Sequence, residues 1–226
     1  MAKLFLLMVF ISWSFSAHGQ DHIPSGFIDV GKVIPTIQVE ARYAGFDNFV
    51  GQPVNGYEAY KVIVSTQVAE ALKAVQAELV PQGMSLKIYD GYRPQRAVDH
   101  FVRWAQDEND TVNKHKFYPN VSKSKLFDLG YIAARSGHSR GGSVDVTIVQ
   151  VTHDVWVDLD MGSSWDLFDP KSHPSSQGVS ETARQNRQKL ANLMTKYGFK
   201  PYAEEWWHFT LADEPYPETY FDFPIK

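Results

Sequence analysis

The stretch Ser136-Gly-His138-Ser-Arg-Gly-Gly-Ser-Val-Asp145-Val-Thr-Ile-Val-Gln-Val151 carries the decision about this fold. From Ser143 to Val151 it alternates and predicts a strand, with Val144, Val146 and Ile148 on one face and Asp145 and Thr147 on the other. Ahead of the strand, Gly137, Gly141 and Gly142 allow the backbone to turn tightly around His138. A carboxylate within a Val- and Ile-rich strand is costly if buried without a partner. A metal or a hydrogen-bond partner would offset that cost. A His and an Asp that merely satisfy neighbouring backbone groups fit the spacing equally well.

Upstream, Ser85–Tyr89 alternates and predicts a second strand, followed by the turn Asp90-Gly-Tyr-Arg-Pro94 and a helix over Gln95–Ala105. Thr66–Val80 predicts a helix, with Val68, Leu72, Val75 and Leu79 inward, Ser65 or Thr66 as cap and Pro81 as stop. Ile37–Ala41 alternates as a strand. Downstream, residues 114–130 read as a polar surface excursion and residues 161–178 as a Ser/Pro/Asp/Gly loop. Ser180–Tyr197 predicts a long helix closed by Gly198, and Ala203–Leu211 an aromatic-rich strand. This order predicts an α+β fold, a single domain with a mostly antiparallel sheet flanked by helices.

The 226 residues suit one domain with a sizeable core, and the net charge of −4, without a basic cluster, argues against nucleic-acid binding. The absence of cysteine excludes thiolate nucleophiles and leaves His, Asp and Glu as the only metal ligands. Lys3, the apolar run Leu4–Phe15 and Ser16-Ala17-His18-Gly19 form the pattern of an export signal. Residues 1–19 are therefore expected to be removed, leaving residues 20–226 as the mature domain. The apolar run is short for a membrane span, so no stable membrane insertion is expected afterwards. Oligomeric state is not legible.

A second chemical cluster is Glu204-Glu205-Trp206-Trp207-His208. An acid three residues before a histidine recurs in metallohydrolases, but the pair also arises by chance, and two tryptophans beside it suit a plain core. In an ideal strand, residues three apart point to opposite faces, so the pair needs a bulge or a strand end to converge. Taken with the first stretch, His138, Asp145 and His208 would supply three ligands to a tetrahedral zinc, with the fourth position open to water. Glu205 would be the general base for that water. Arg93, in the turn after a strand, could steady an oxyanion; in isolation it reads better as a surface arginine before a helix-starting proline.

These segments together resemble the VanX-like D-Ala-D-Ala dipeptidases, a branch of the zinc peptidases that includes D,D-carboxypeptidases and Hedgehog-type domains. The resemblance rests on Asp47-Asn-Phe49 with Gly51, Asp90-Gly-Tyr-Arg-Pro-Gln-Arg-Ala-Val98, His138-Ser-Arg-Gly141 with Asp145, Met161-Gly-Ser163 with Asp166, Glu205-Trp-Trp-His208, Asp213-Glu-Pro-Tyr-Pro217 and Tyr220-Phe-Asp-Phe-Pro224. It implies one Zn2+ per chain on His138, Asp145 and His208 in a central cleft, Glu205 as base and Arg93 as oxyanion stabiliser. It also implies that Tyr43 and Asp166 meet the ammonium end of a small dipeptide. The family has a serine where this chain has Gly137. The expected reaction is hydrolysis of D-Ala-D-Ala in cell-wall peptide turnover, and the export signal implies a periplasmic place near turnover products. The alternatives are a D,D-carboxypeptidase or endopeptidase on longer cell-wall peptides, and a non-catalytic zinc-stabilised cell-wall binding module.

Overall fold

A computed structural model describes residues 23–153 and 155–226. The expected signal segment, residues 1–19, and His22 lie outside the described residues. In chain order the strands are β1 (Phe27–Asp29), β2 (Gln38–Val39), β3 (Ile63–Ser65), β4 (Met84–Asp90), β5 (Ser143–Thr152), β6 (Val155–Asp158), β7 (Phe199–Pro201) and β8 (His208–Leu211). The helices are α1 (Val30–Val33), α2 (Thr66–Leu79), α3 (Gln95–Gln106), α4 (Lys114–Phe117) and α5 (Glu181–Lys196). Among the described residues, no helix is long and apolar enough to cross a membrane.

The main sheet runs β2-β4-β5-β8-β7, with β6 on the distal half of β5; β1 and β3 form a separate small sheet. Only β2 with β4 is parallel, so the sheet is mostly antiparallel, as the sequence predicts. β5 is flanked on both sides, and its residues from Ser143 to Val149 are buried on both faces. That is why its polar residues need partners. Helix α2 starts where predicted, with Ser65 Oγ accepting from Val68 N–H, and α5 starts with Ser180 Oγ accepting from Ala183 N–H. Buried Gln76 ties α2 to the sheet: its amide donates to Ser85 Oγ and accepts from Leu86 N–H.

Three expectations are corrected. The strand over Ile37–Ala41 shrinks to β2, because the chain turns at Arg42–Ala44 to bury Tyr43. Residues 114–130 are not a surface excursion. Phe117, Tyr118, Val121 and Leu126 are buried there, and the Lys123 ammonium donates to the Trp104 and Asp107 carbonyls above the Trp104 ring. The strand over Ala203–Leu211 begins only at His208, since residues 203–207 form a turn.

Candidate functional site

Strand register builds the site. Asp145 on β5 pairs with Asp90 of β4 on one side and with His208 of β8 on the other. Side chains directly opposite across a ladder share a face, so three residues far apart in sequence form one row. His138 joins them from the turn that precedes β5. There Ser136 Oγ accepts from His138 N–H, and Gly141 takes φ +74°, which glycine adopts without strain.

Three potential ligand atoms converge. His138 Nε2 lies 3.1 Å from His208 Nδ1 and 3.3 Å from Asp145 Oδ1, and His208 Nδ1 lies 3.2 Å from Asp145 Oδ1. The other face of His138 fixes its proton: Nδ1 meets the Gly91 carbonyl at 2.7 Å, and a carbonyl only accepts. Nδ1–H therefore donates, which leaves Nε2 as the ring atom that faces the Asp145 carboxylate and is free to ligate. A cation bound between these atoms would satisfy all three at once. Ligand bonds of about 2.0–2.1 Å at tetrahedral angles require donor atoms about 3.3 Å apart, which this triangle matches. The residues present therefore fit a divalent ion such as zinc.

The neighbours favour the same state. Burial lowers the His208 pKa despite the opposing hydrogen bond to Asp145, which favours the neutral ring that can ligate. Burial alone would raise the Asp145 pKa, but its contacts with the His138 and His208 rings hold it well below the usual carboxylate range. Its second oxygen accepts from Trp165 Nε1 at 3.3 Å.

Glu205 sits in the turn just before β8, with Oε2 3.8 Å from His208 Nδ1. The strand end thus resolves the geometric conflict between Glu205 and His208. Burial, then the charges of Asp145 and Asp166, raise the Glu205 pKa well above its ordinary value. A more basic carboxylate is a better proton acceptor.

Arg93 is held by Asp90, whose Oδ2 accepts from Nε at 2.9 Å while Oδ1 accepts from Tyr57 O–H and Gly91 N–H. Its Nη2 lies 3.7 Å from Asp145 Oδ2. The turn bearing Arg93 also packs closely on β3, where a Cβ at Gly91 would strike the Ile63 carbonyl. The C-terminal segment clasps the turns that carry Arg93 and His138. Phe221 donates its N–H to Ser139 O and accepts from Gln95 N–H, and Phe223 stacks on Tyr92. Asp90 and Tyr57 were not singled out from the sequence. An Asp before a Gly reads as ordinary turn chemistry, and only the burial of Asp90 exposes its role.

Asp166 and Tyr43 meet on the wall of the same cavity, with Tyr43 O–H donating to Asp166 Oδ2 at 2.7 Å. Asp166 is 4% exposed and sits at φ +61°, a conformation that costs energy outside glycine. Among the described residues no Lys, Arg or His lies within ion-pair distance of it. Burial, then the charge of Asp145, raise its pKa well above the ordinary carboxylate value. Buried Arg187 of α5 anchors the surrounding loop, donating to the carbonyls of Met161, Lys171 and His173.

Gly137 has a packing reason. A Cβ there would collide with Ser143 Oγ, which is hydrogen-bonded to Thr210 Oγ1 at 2.7 Å. The Ser143 hydroxyl occupies the space that a serine at 137 would need. Among the described residues the remaining histidines stay outside the site: His100 Nδ1 accepts from Asn55 N–H, and His173 lies 3.4 Å from Tyr131 O–H.

The family profile described as D-ala-D-ala dipeptidase (Peptidase M15) matches residues 24–226. The chain is 45% identical over 199 residues to the D-alanyl-D-alanine dipeptidase of Streptomyces coelicolor, covering 88% of this chain and 98% of that one. It is 39% identical over 201 residues to the D-alanyl-D-alanine dipeptidase of Enterococcus faecium, covering 89% and 98%. It is 28% identical over 184 residues to that of Escherichia coli, covering 81% and 83%.

Proposed function

This chain belongs to the D-Ala-D-Ala dipeptidase family of M15 peptidases, and we propose on that premise that its cavity hydrolyses free D-alanyl-D-alanine to two D-alanines. His138, Asp145 and His208 would hold one Zn2+ per chain. When bound, the ion lowers the pKa of water and polarises the substrate carbonyl. Glu205 removes a proton from the water as its oxygen attacks the peptide carbonyl carbon. As the C–N bond breaks, Glu205 returns that proton to the leaving amine nitrogen. Arg93, oriented by Asp90, donates to the oxygen on which negative charge develops.

The observation that carries the dipeptidase reading is Asp166. A buried carboxyl with a phenol donor and, among the described residues, no cationic partner suits the free ammonium of a dipeptide. An acylated amine removes that charge and leaves the carboxylate unpaired. Loss of one partner of a buried ion pair costs about 3–5 kcal/mol, or more than about a hundredfold in kcat/KM. D-Ala-D-Ala is therefore expected to be cleaved at least that much better than N-acetyl-D-Ala-D-Ala, and Asp166→Ala to narrow the gap by weakening the dipeptide reaction. Equal cleavage of both by the wild-type enzyme would replace this reading with the D,D-carboxypeptidase one. A non-catalytic zinc module has no use for Glu205 and Arg93 beside the metal ligands.

The pattern of residues 1–19 supports export and a periplasmic place near cell-wall turnover products. N-terminal sequencing of protein recovered from the periplasm is expected to begin near Gln20. A cytoplasmic protein retaining Met1 would overturn the compartment and leave the chemistry untouched.

A further inference from the structure

Two arginines line the cavity, in opposite electrostatic situations. Arg93 is tied to Asp90 and lies close to Asp145. Arg135 is exposed, and among the described residues no carboxylate lies within ion-pair distance of it. Its guanidinium instead lies 4.9 Å from the centre of the Tyr220 ring. That platform is fixed, because the Tyr220 hydroxyl accepts from Arg140, whose remaining donors bind Glu214. A guanidinium laid on a ring face keeps its in-plane N–H donors free for a planar anion.

We propose that Arg135 binds the C-terminal carboxylate of the substrate, an inference that rests on the dipeptidase reading above. A free dipeptide is a zwitterion. The cavity offers one buried acid without a cation, Asp166, and one cation without an acid, Arg135. These are complementary to an ammonium and a carboxylate on one small molecule. The reach is adequate. Arg135 is three residues before His138, a span of at most about 10–11 Å. The carboxylate lies one residue past the scissile bond, about 3.8 Å along the chain, and the long Arg135 side chain covers the remainder. Arg135 thereby becomes a specificity residue for substrates that end at the second alanine.

The test compares D-Ala-D-Ala with D-alanyl-D-alaninamide, which has the same scissile bond and no terminal charge. Wild-type enzyme is expected to prefer the acid by about tenfold or more in kcat/KM, since a charge-assisted hydrogen bond at a solvent-accessible site is worth about that much. Arg135→Gln should collapse this acid-to-amide ratio toward one, chiefly through a higher KM for the acid. Arg135→Lys should restore part of it. Because the residue is exposed and the readout is a ratio within one variant, partial loss of folded protein does not affect the outcome. A wild type that cleaves D-Ala-D-Ala with no acid preference, or an Arg135→Gln ratio equal to wild type, overturns the carboxylate site and leaves the dipeptidase reading standing. A wild type that does not cleave D-Ala-D-Ala at all overturns both.

Discussion

Glu205→Ala is expected to keep its zinc and to lose about 10²–10⁴-fold in kcat, the range that a positioned general acid–base group supplies. Glu205 is not part of the triangle formed by His138, Asp145 and His208, whose donor atoms lie 3.1–3.3 Å apart without it. Its own carboxylate stands 3.8 Å from His208 Nδ1, beside the ligand set and on the cavity wall. Removing it therefore takes away the proton acceptor for water and the proton donor for the leaving amine, while the ligands persist. Binding of the dipeptide ends depends on other residues, so KM should change far less than kcat. Metal content by atomic absorption, measured on the same preparation as kcat, checks this. Loss of zinc in proportion to activity would make Glu205 a ligand or a structural support, and near-normal turnover would remove it from the mechanism.

The parts of this site that were legible in the sequence are those that chemistry alone marks. His138 between glycines, Asp145 inside an apolar strand and Glu205 three residues before His208 are each unusual in local context. Their convergence was not legible from spacing. It depends on β5 pairing with β4 and β8 in one register, so that Asp90, Asp145 and His208 line up across three strands. A shift of one residue would turn every side chain to the opposite face, and no local pattern states which register holds. Short elements were missed for a related reason. β1, β3 and β7 have three residues each, too few for alternation to register. Residues 114–130 misled differently: their polar composition hid the buried Phe117, Tyr118 and Leu126, and a lysine folded inward onto Trp104. Gly137 shows the opposite case, in which a departure from the family pattern becomes intelligible only once Ser143 is seen in the vacated space.

His208→Ala is expected to abolish both zinc binding and activity, and to erase the stabilisation that zinc gives the wild type. Two ligands remain in the variant, His138 and Asp145, one fewer than the three protein ligands usual in catalytic zinc sites. The wild-type site is built in advance. Nδ1 of His138 is committed to the Gly91 carbonyl, Asp145 is held by Trp165, and both belong to the central sheet or the turn leading into it. A site present only in the folded chain converts binding into stability as RT ln(1 + [L]/Kd), about 4 kcal/mol when free zinc is 1,000 times Kd. For a domain of this size that corresponds to a rise in Tm of roughly 8–16 °C. Thermal unfolding of chelator-stripped protein, with and without added zinc, should show that rise in the wild type. It should shrink to within about 2 °C in His208→Ala, where the remaining ligands bind too weakly to shift the equilibrium. The apo forms separate the ligand role from a packing role. Removing the His208 ring leaves the buried contact between His138 Nε2 and Asp145 Oδ1, 3.3 Å apart, in place. The variant is therefore expected to unfold near the apo wild type, differing mainly in its silence to zinc. A full zinc-dependent rise in His208→Ala would move the metal away from this triangle and take the catalytic assignment of Glu205 with it.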